Sequence, residues 1–281
     1  MTGGVVGAIS PKLQQAEIDR ARGKPTEDLQ AYDYYLRGVA SLRRSGGTCD
    51  EALNLFRTAI RFDPNFAAAY GMAAFCYWAP KAWSRIADRE REVAEVNWLV
   101  RQVEEVGRDD AVALTGAGSA LAYVVGDAEG GAALLDRALA LNPNDALAWL
   151  FRGWTFVWLG DLEKAIDRFV QAMRLSPLDP SLIQSLSGTA HAHFHAERYD
   201  EAIAWAEKAL RERPGSAAAA RITAAANALA GRMAHAQIAM QRLRKLAPAL
   251  RVSNLRATLG PYTPEGYARY EKGLRLAGLP E

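Results

Sequence analysis

The chain has 281 residues, a formal net charge of +2 and a hydrophobic fraction of 50%. So balanced a charge gives no support to nucleic-acid binding, and Cys49 and Cys76 form neither a CxxC pair nor a disulfide framework. No apolar run approaches the ~20 residues of a membrane span. The N-terminus also lacks the basic region and long apolar core of a signal peptide. We therefore expect a cytoplasmic protein with two reduced thiols.

The first predicted element is a helical segment within residues 1–25, which does not fit the pattern that follows. A short apolar patch precedes Ser10, which suits a helix N-cap, and Pro11 suits the first helical position. The predicted helix, residues 12–22, is charged and has no evident core to join. We interpret this segment as the end of something larger.

A proline that follows an Ala-rich helix recurs along the chain, at Pro64, Pro143, Pro177, Pro214 and Pro248. The last four are separated by 34, 37 and 34 residues, and the gap of 79 between the first two leaves room for two units. Proline cannot continue a helix, so each one marks a stop. This period predicts stacked helical hairpins, each of which needs neighbours to bury its apolar surface.

The stretch 146–180 gives the clearest unit. Apolar and small residues share one face of each of two predicted helices, with Gly160 at the turn between them and Pro177 at the stop. At these offsets the unit strongly resembles a tetratricopeptide (TPR) repeat, through Trp149, Gly153, Phe156, Gly160, Ala165, Phe169, Ala172 and Pro177.

We accordingly predict an all-α, right-handed TPR α-solenoid of about six helical hairpins with a C-terminal capping helix. The second unit is irregular, since Pro80 breaks its first helix and about ten extra residues follow. Residues 251–281 form the predicted capping region, in which Thr263-Pro264 begins the last helix. The predicted repeats span residues 26–66, 67–110, 111–145, 146–179, 180–216 and 217–250.

Longer phrases carry a further resemblance, among them EDLQAYDYYLRG, ALLDRALALNPN, RYDEAIAWAEKALRERP and ARYEKGLRLAGLPE. They look like the C-terminal TPR region of rhizobial and other alphaproteobacterial proteins of the class III adenylate cyclase-like and winged-helix regulator type. The resemblance covers residues 5–281 and implies that residues 1–25 are the remnant of an upstream α/β domain. It implies ancestry and a pathway but no cyclase activity, because no strand pattern with paired aspartates is present.

No catalytic residue, metal site or cofactor is predicted. His191 and His195 share a helix face, but His193 points away and no Cys or carboxylate follows at ligand spacing. The sequence contains no nucleophile elbow and no Gly-rich loop after a strand. The glycines of GGAALL and GAGSA fall inside predicted helices, where we expect them to allow close packing.

The candidate binding site is the concave groove, which the first helices of TPR hairpins line. Its predicted lining is aromatic and poor in charge, and an alternative is that some of the aromatic side chains pack between neighbouring helices. TPR arrays that bind a C-terminal carboxylate cluster Lys, Arg and Asn there, whereas this lining has one arginine. The predicted residues are Phe75, Trp78, Tyr123, Leu147, Leu150, Trp154, Val157, Trp158, Gln184, His191 and Arg221.

These observations favour a non-enzymatic protein-interaction module that binds an apolar or amphipathic segment of a protein or peptide partner. The alternative is the regulatory TPR part of an adenylate cyclase or transcription-regulator system. Neither nucleic acid nor membrane is an expected partner. We further expect residues 4–18 to pack onto the groove of their own chain or of a second copy, against the rival of a frayed terminus.

Overall fold

The computed structural model describes residues 30–43, 49–78, 88–177 and 182–281. Within these ranges every regular element is helical and no strand occurs, which confirms the predicted all-α TPR solenoid. The N-terminal segment, its proposed docking and Pro80 lie outside the described residues. The described chain divides into two compact units after Ala148.

Paired helices build the first unit. Each hairpin packs its two helices against each other, and α3 also packs on α2 and α5. The helices are α1 (Ala31–Arg43), α2 (Cys49–Phe62), α3 (Ala67–Phe75), α4 (Arg89–Val106), α5 (Ala111–Ala120) and α6 (Ala128–Leu141), with a π-helical turn at Leu121–Val125 after α5.

Glycines set the close approach of helices in this unit. A Cβ on Gly118 would lie 2.9 Å from the carbonyl oxygen of Gly131, and one on Gly116 would overlap the backbone of Gly71. Helices α5 and α6, and likewise α3 and α5, therefore pack with their backbones almost in contact. This is the packing role that the sequence predicted for the glycines of GAGSA and GGAALL.

The second unit repeats the arrangement. Its neighbouring helices pack in sequence, from α8 on α9 to α11 on α12. The boundary between the units falls within α7 (Ala146–Leu159). The helices after it are α8 (Leu162–Leu175), α9 (Leu182–His195), α10 (Tyr199–Glu212), α11 (Ala217–Leu229), α12 (Met233–Leu246), α13 (Leu255–Thr258) and α14 (Pro264–Leu276), with a 3-10 turn at Val252–Asn254 before α13.

Phe169 shows how the repeat residues hold this unit together. Its buried ring lies between two helices, where a Cβ on Gly153 would come within 2.6 Å and one on Gly188 would overlap the ring. Left-handed glycines end the first helices, with φ of 88° at Gly160 and 76° at Gly231. A residue with a Cβ is strained at such φ values, so glycine is favoured at these turns.

The C-terminal helix α14 begins as predicted, with Thr263 accepting a hydrogen bond from the backbone N–H of Gly266 and Pro264 at its first position. Its buried face carries Tyr270 and Leu274. The helix packs on α11, the first helix of the last hairpin. It thus covers the last hairpin, as a capping helix does, on the side of the first helix of that hairpin.

Candidate functional site: the surface of the first helices

In the first unit, the predicted groove residues lie at the end of α3 and shortly after it, on the π-helical turn and at the start of α7. Tyr123 is buried, whereas Phe75, Trp78 and Leu147 are half-buried. The rings of Trp78 and Tyr123 lie 5.3 Å apart. The structure thus brings two of the predicted aromatic residues together, and Tyr123 lies in a π-helical turn that the sequence did not reveal. Their binding role stays a prediction.

In the second unit, four predicted residues lie on α7, and all of them are buried: Leu150, Trp154, Val157 and Trp158. Trp154 stacks on Trp158 with ring centroids 6.0 Å apart and meets the edge of Phe169 at 5.7 Å. These tryptophans are therefore buried in a packed aromatic cluster and are not exposed along the helix surface. The position of these two tryptophans agrees with the alternative raised from the sequence, in which aromatic side chains pack between neighbouring helices.

Helix α9 contributes His191, which is buried against α7, α11 and α14. Its Nδ1–H donates to the carbonyl oxygen of Ser187 at 2.7 Å, and its ring centroid lies 5.0 Å from that of Trp154. Burial lowers the pKa of His191 to about 3, and the nearby charge of Arg221 lowers it too. The imidazole is therefore neutral near pH 7, and its Nε2 can accept a hydrogen bond.

His195 lies one turn further along α9. It is buried against Tyr262, with ring centroids 4.6 Å apart. Burial lowers the pKa of His195 to about 3, helped by the neighbouring His191 and by Arg269. The sequence predicts His195 on the same helix face as His191, but His195 was not among the predicted groove residues. Their shared i, i+4 spacing was the signal that could have included it.

Arg221 on α11 is the one predicted basic residue of the groove, and it is only 7% exposed. Its guanidinium interacts electrostatically with the hydroxyl of Tyr270. Burial raises the pKa of Tyr270, and Arg221 partly offsets that rise. Gln184, the other predicted polar residue, is half-buried at the beginning of α9. The structure therefore brings Arg221 and His191 together around Tyr270 in a buried cluster.

The chain itself covers this surface, through residues 259–279, which we call the C-terminal segment. Gly260 lies against the indole of Trp158, where a Cβ would overlap the ring. Tyr262 contacts His195, Tyr270 stacks on His191 at 6.0 Å, and a Cβ on Gly273 would lie 2.9 Å from Ala225. The segment thus crosses the first helices of three successive hairpins.

Arg269 connects the C-terminal segment to the end of α9. Its guanidinium donates to the carbonyl oxygen of His195 at 2.8 Å and pairs with Glu197 at 2.6 Å. This side of α14 therefore faces the end of α9. The sequence also gave no indication that the tyrosines of the last helix would contact the groove histidines.

The described residues show no arrangement that supports metal chemistry. None of their groups of His, Cys, Asp and Glu side chains could hold a metal ion. None of the helices in the described ranges is both long and apolar enough to cross a membrane. The chain's own C-terminal helix packs on this surface through aromatic, apolar and hydrogen-bonding contacts.

Comparison with known proteins agrees with this fold. A tetratricopeptide-repeat family model matches residues 118–180. No curated protein matches the chain.

Solved structures similar to this chain share its fold at low sequence identity. The crystal structure of the APC/C hetero-tetramer Cut9-Hcn1 has a TM-score of 0.64 at 16% identity, over 94% of this chain and 46% of that one. The chain thus spans less than half the length of that relative. Pseudomonas aeruginosa pilF has a TM-score of 0.53 at 17% identity, over 83% and 95% of the two chains. The yeast Tom70 structure has a TM-score of 0.51 at 17% identity, over 88% and 47%.

Proposed function

We propose that this chain, which has the all-α tetratricopeptide solenoid fold, is a non-enzymatic protein-interaction module. Its concave surface binds an amphipathic helical segment of a protein partner. The observation that carries the proposal is the C-terminal segment, an amphipathic helix that already lies across the first helices of the second unit. A surface that holds one such helix has the shape and chemistry to hold another.

The contacts of the C-terminal segment define what the surface accepts. Tyr270 and Leu274 are fully buried on the inner side of α14, whereas Lys272 and Arg275 are exposed on its outer side. The buried side contacts aromatic rings, small side chains and one arginine. Aromatic anchors contribute large contact areas at a modest cost in conformational entropy. The expected partner segment is therefore a helix with tyrosine- or leucine-like anchors at i and i+4.

The first unit extends this proposal. Phe75, Trp78, Tyr123 and Leu147 lie on its first helices or on the turns that follow, and three of them are half-buried. Half-buried apolar side chains suit contact with an apolar segment. We propose that they contribute a second contact area of the same chemical character.

Binding in trans tests the proposal. The probe is a fluorescein-labelled peptide of residues 259–279, and the full-length Gly273→Val variant loosens the docked helix because its added methyl groups collide with Ala225. Ala268→Val, on the exposed side of the same helix, is the matched control. We expect the peptide to bind Gly273→Val at least about tenfold more tightly than the control by fluorescence anisotropy, because intramolecular competition is reduced. Equal weak binding to both variants would contradict the proposal.

The second hypothesis rests on the resemblance of the repeat phrases alone. If the chain regulates an adenylate cyclase or a winged-helix regulator, it should bind such a domain encoded beside it, and the complex should elute as one species in size-exclusion chromatography. The Gly273→Val and Ala268→Val pair again shows whether the concave surface is involved. Separate elution at micromolar concentrations would count against this role.

A further inference from the structure

Several buried polar atoms beneath the C-terminal segment have no hydrogen-bond partner. Within the described ranges, these atoms include the indole Nε1 of Trp154, both ring nitrogens of His195 and Nε of Arg221. The three residues come from the first helices of three successive hairpins. Each residue is at most 9% exposed. A buried polar atom without a partner destabilises the state that contains it.

Arg221 is the most unfavourable of these groups. A guanidinium keeps its charge at any pH at which the protein folds, so burial cannot be relieved by loss of a proton. The contact that the C-terminal segment offers it is the neutral hydroxyl of Tyr270. Among the residues that the structure describes, no carboxylate forms an ion pair with Arg221.

The acidic side chains of α14 do not meet this need. Glu265 is exposed, and Glu271 pairs with Arg275 at 2.5 Å on the outer side of the helix. The segment therefore satisfies the apolar part of the surface and leaves its charged part uncompensated. The neutral His191 beside Arg221 adds a ring nitrogen that can hydrogen-bond but supplies no negative charge.

We propose that the C-terminal segment is an exchangeable occupant of this surface. Its competitor is an amphipathic helix of a partner protein that presents a carboxylate to Arg221. The carboxylate would form a charge-assisted hydrogen bond in a water-poor site, where such bonds are strongest. This inference rests on the proposed function, since it names the partner chemistry and the regulation of the same surface.

The test compares three peptides of residues 259–279 that differ at one position: the native sequence, Tyr270→Glu and Tyr270→Gln. Glutamine matches glutamate in size and lacks its charge, so the pair isolates the carboxylate. Binding is measured on the full-length Gly273→Val chain with and without a second substitution, Arg221→Met, which keeps the volume of the arginine stem. We expect the Glu peptide to bind at least about tenfold more tightly than the Gln peptide, and Arg221→Met to remove that preference.

Displacement is measured separately on the unsubstituted chain. Hydrogen exchange should accelerate in α14 when the Glu peptide is added in excess, while α10 and α12 keep their protection. If the native peptide binds Gly273→Val but the Glu and Gln peptides bind equally, the carboxylate inference is overturned and the proposed function stands. If no peptide binds, both fail. Binding of the Glu peptide without faster exchange in α14 would refute displacement.

Discussion

The hydroxyl oxygen of Tyr270 lies 3.4 Å from Nε2 of His191. Because Nδ1–H of His191 donates to Ser187, Nε2 carries no proton in the neutral ring and accepts from the tyrosine. Arg221 in turn interacts electrostatically with Tyr270. One tyrosine thereby connects α9, α11 and α14, so the position of the C-terminal helix depends on the chemistry of the predicted groove.

Replacing Tyr270 by Phe should destabilise the protein, because the ring is retained while the polar atoms around it lose their partner. We expect the free energy of unfolding to fall by about 1–3 kcal/mol, the usual cost of leaving a buried hydrogen-bonding group unsatisfied. Urea unfolding followed by circular dichroism measures the change. An unaltered midpoint would mean that the Tyr270 hydroxyl contributes nothing in solution.

Gly188→Ala should also be destabilising, although alanine is the better helix former by about 1 kcal/mol. The added Cβ would overlap the ring of Phe169, which is fully buried and has no room to move away. Overpacking costs about 1–3 kcal/mol, so we expect a net loss. Gly215→Ala is the matched control, since a Cβ there meets nothing within 4 Å and should change the melting temperature little. If Gly188→Ala were as stable as Gly215→Ala, the close contact between Gly188 and the ring of Phe169 would be ruled out.

Stability should fall in mild acid. Burial lowers the pKa of both His191 and His195 from 6.5 to about 3, so the unfolded chain binds these protons first. The contribution of the two neutral imidazoles to the free energy of unfolding is fully present above pH 6.5. It is lost as the pH falls from 6.5 toward 3. Each histidine adds a slope of up to about 1.4 kcal/mol per pH unit.

The variant His195→Phe tests whether the loss of stability in acid comes from the buried histidines. His195 makes no hydrogen bond through its ring nitrogens within the described residues and packs against Phe194 and Tyr262, so phenylalanine can replace it. Chemical denaturation at a series of pH values should give a slope about 1.4 kcal/mol per pH unit smaller for the variant. Identical slopes would assign the acid sensitivity to other groups.

Purified protein should not form cyclic nucleotides or hydrolyse ATP and GTP. The sequence shows neither a phosphate-binding loop nor a pair of metal-binding aspartates on strands. Assays with Mg²⁺ or Mn²⁺, compared with a heat-inactivated sample, measure this directly. Turnover that persists through successive purification steps and follows the protein peak would refute it.

The repeat architecture was predictable because each hairpin carries its own signals. Pro177 and its equivalents stop the second helices, Gly160 allows the left-handed turn, and Gly153 sits where Phe169 must fit. These are local constraints, set by residues fewer than 20 positions apart in the chain. The start of α14 at Thr263-Pro264 is of the same kind.

The candidate site was predicted in part. His191 and Arg221 were placed on the surface of the first helices from their repeat positions, and both lie there around Tyr270. What covers them could not be predicted, since Tyr270 lies 79 residues beyond His191. A face that is apolar and aromatic suits an external peptide and an internal helix equally well.

The sequence by itself therefore determined the helical hairpins of the described residues and the turn at Gly160, because periodicity, glycine and proline act over short stretches of backbone. Only the tertiary structure decided that the C-terminal segment lies across the first helices of the second unit. That choice depends on long-range fit: Gly260 against Trp158 and Gly273 against Ala225 leave room for the backbone to approach. No local sequence pattern predicts such a fit, because each of these glycines is required only by the contact with a residue far away in the chain.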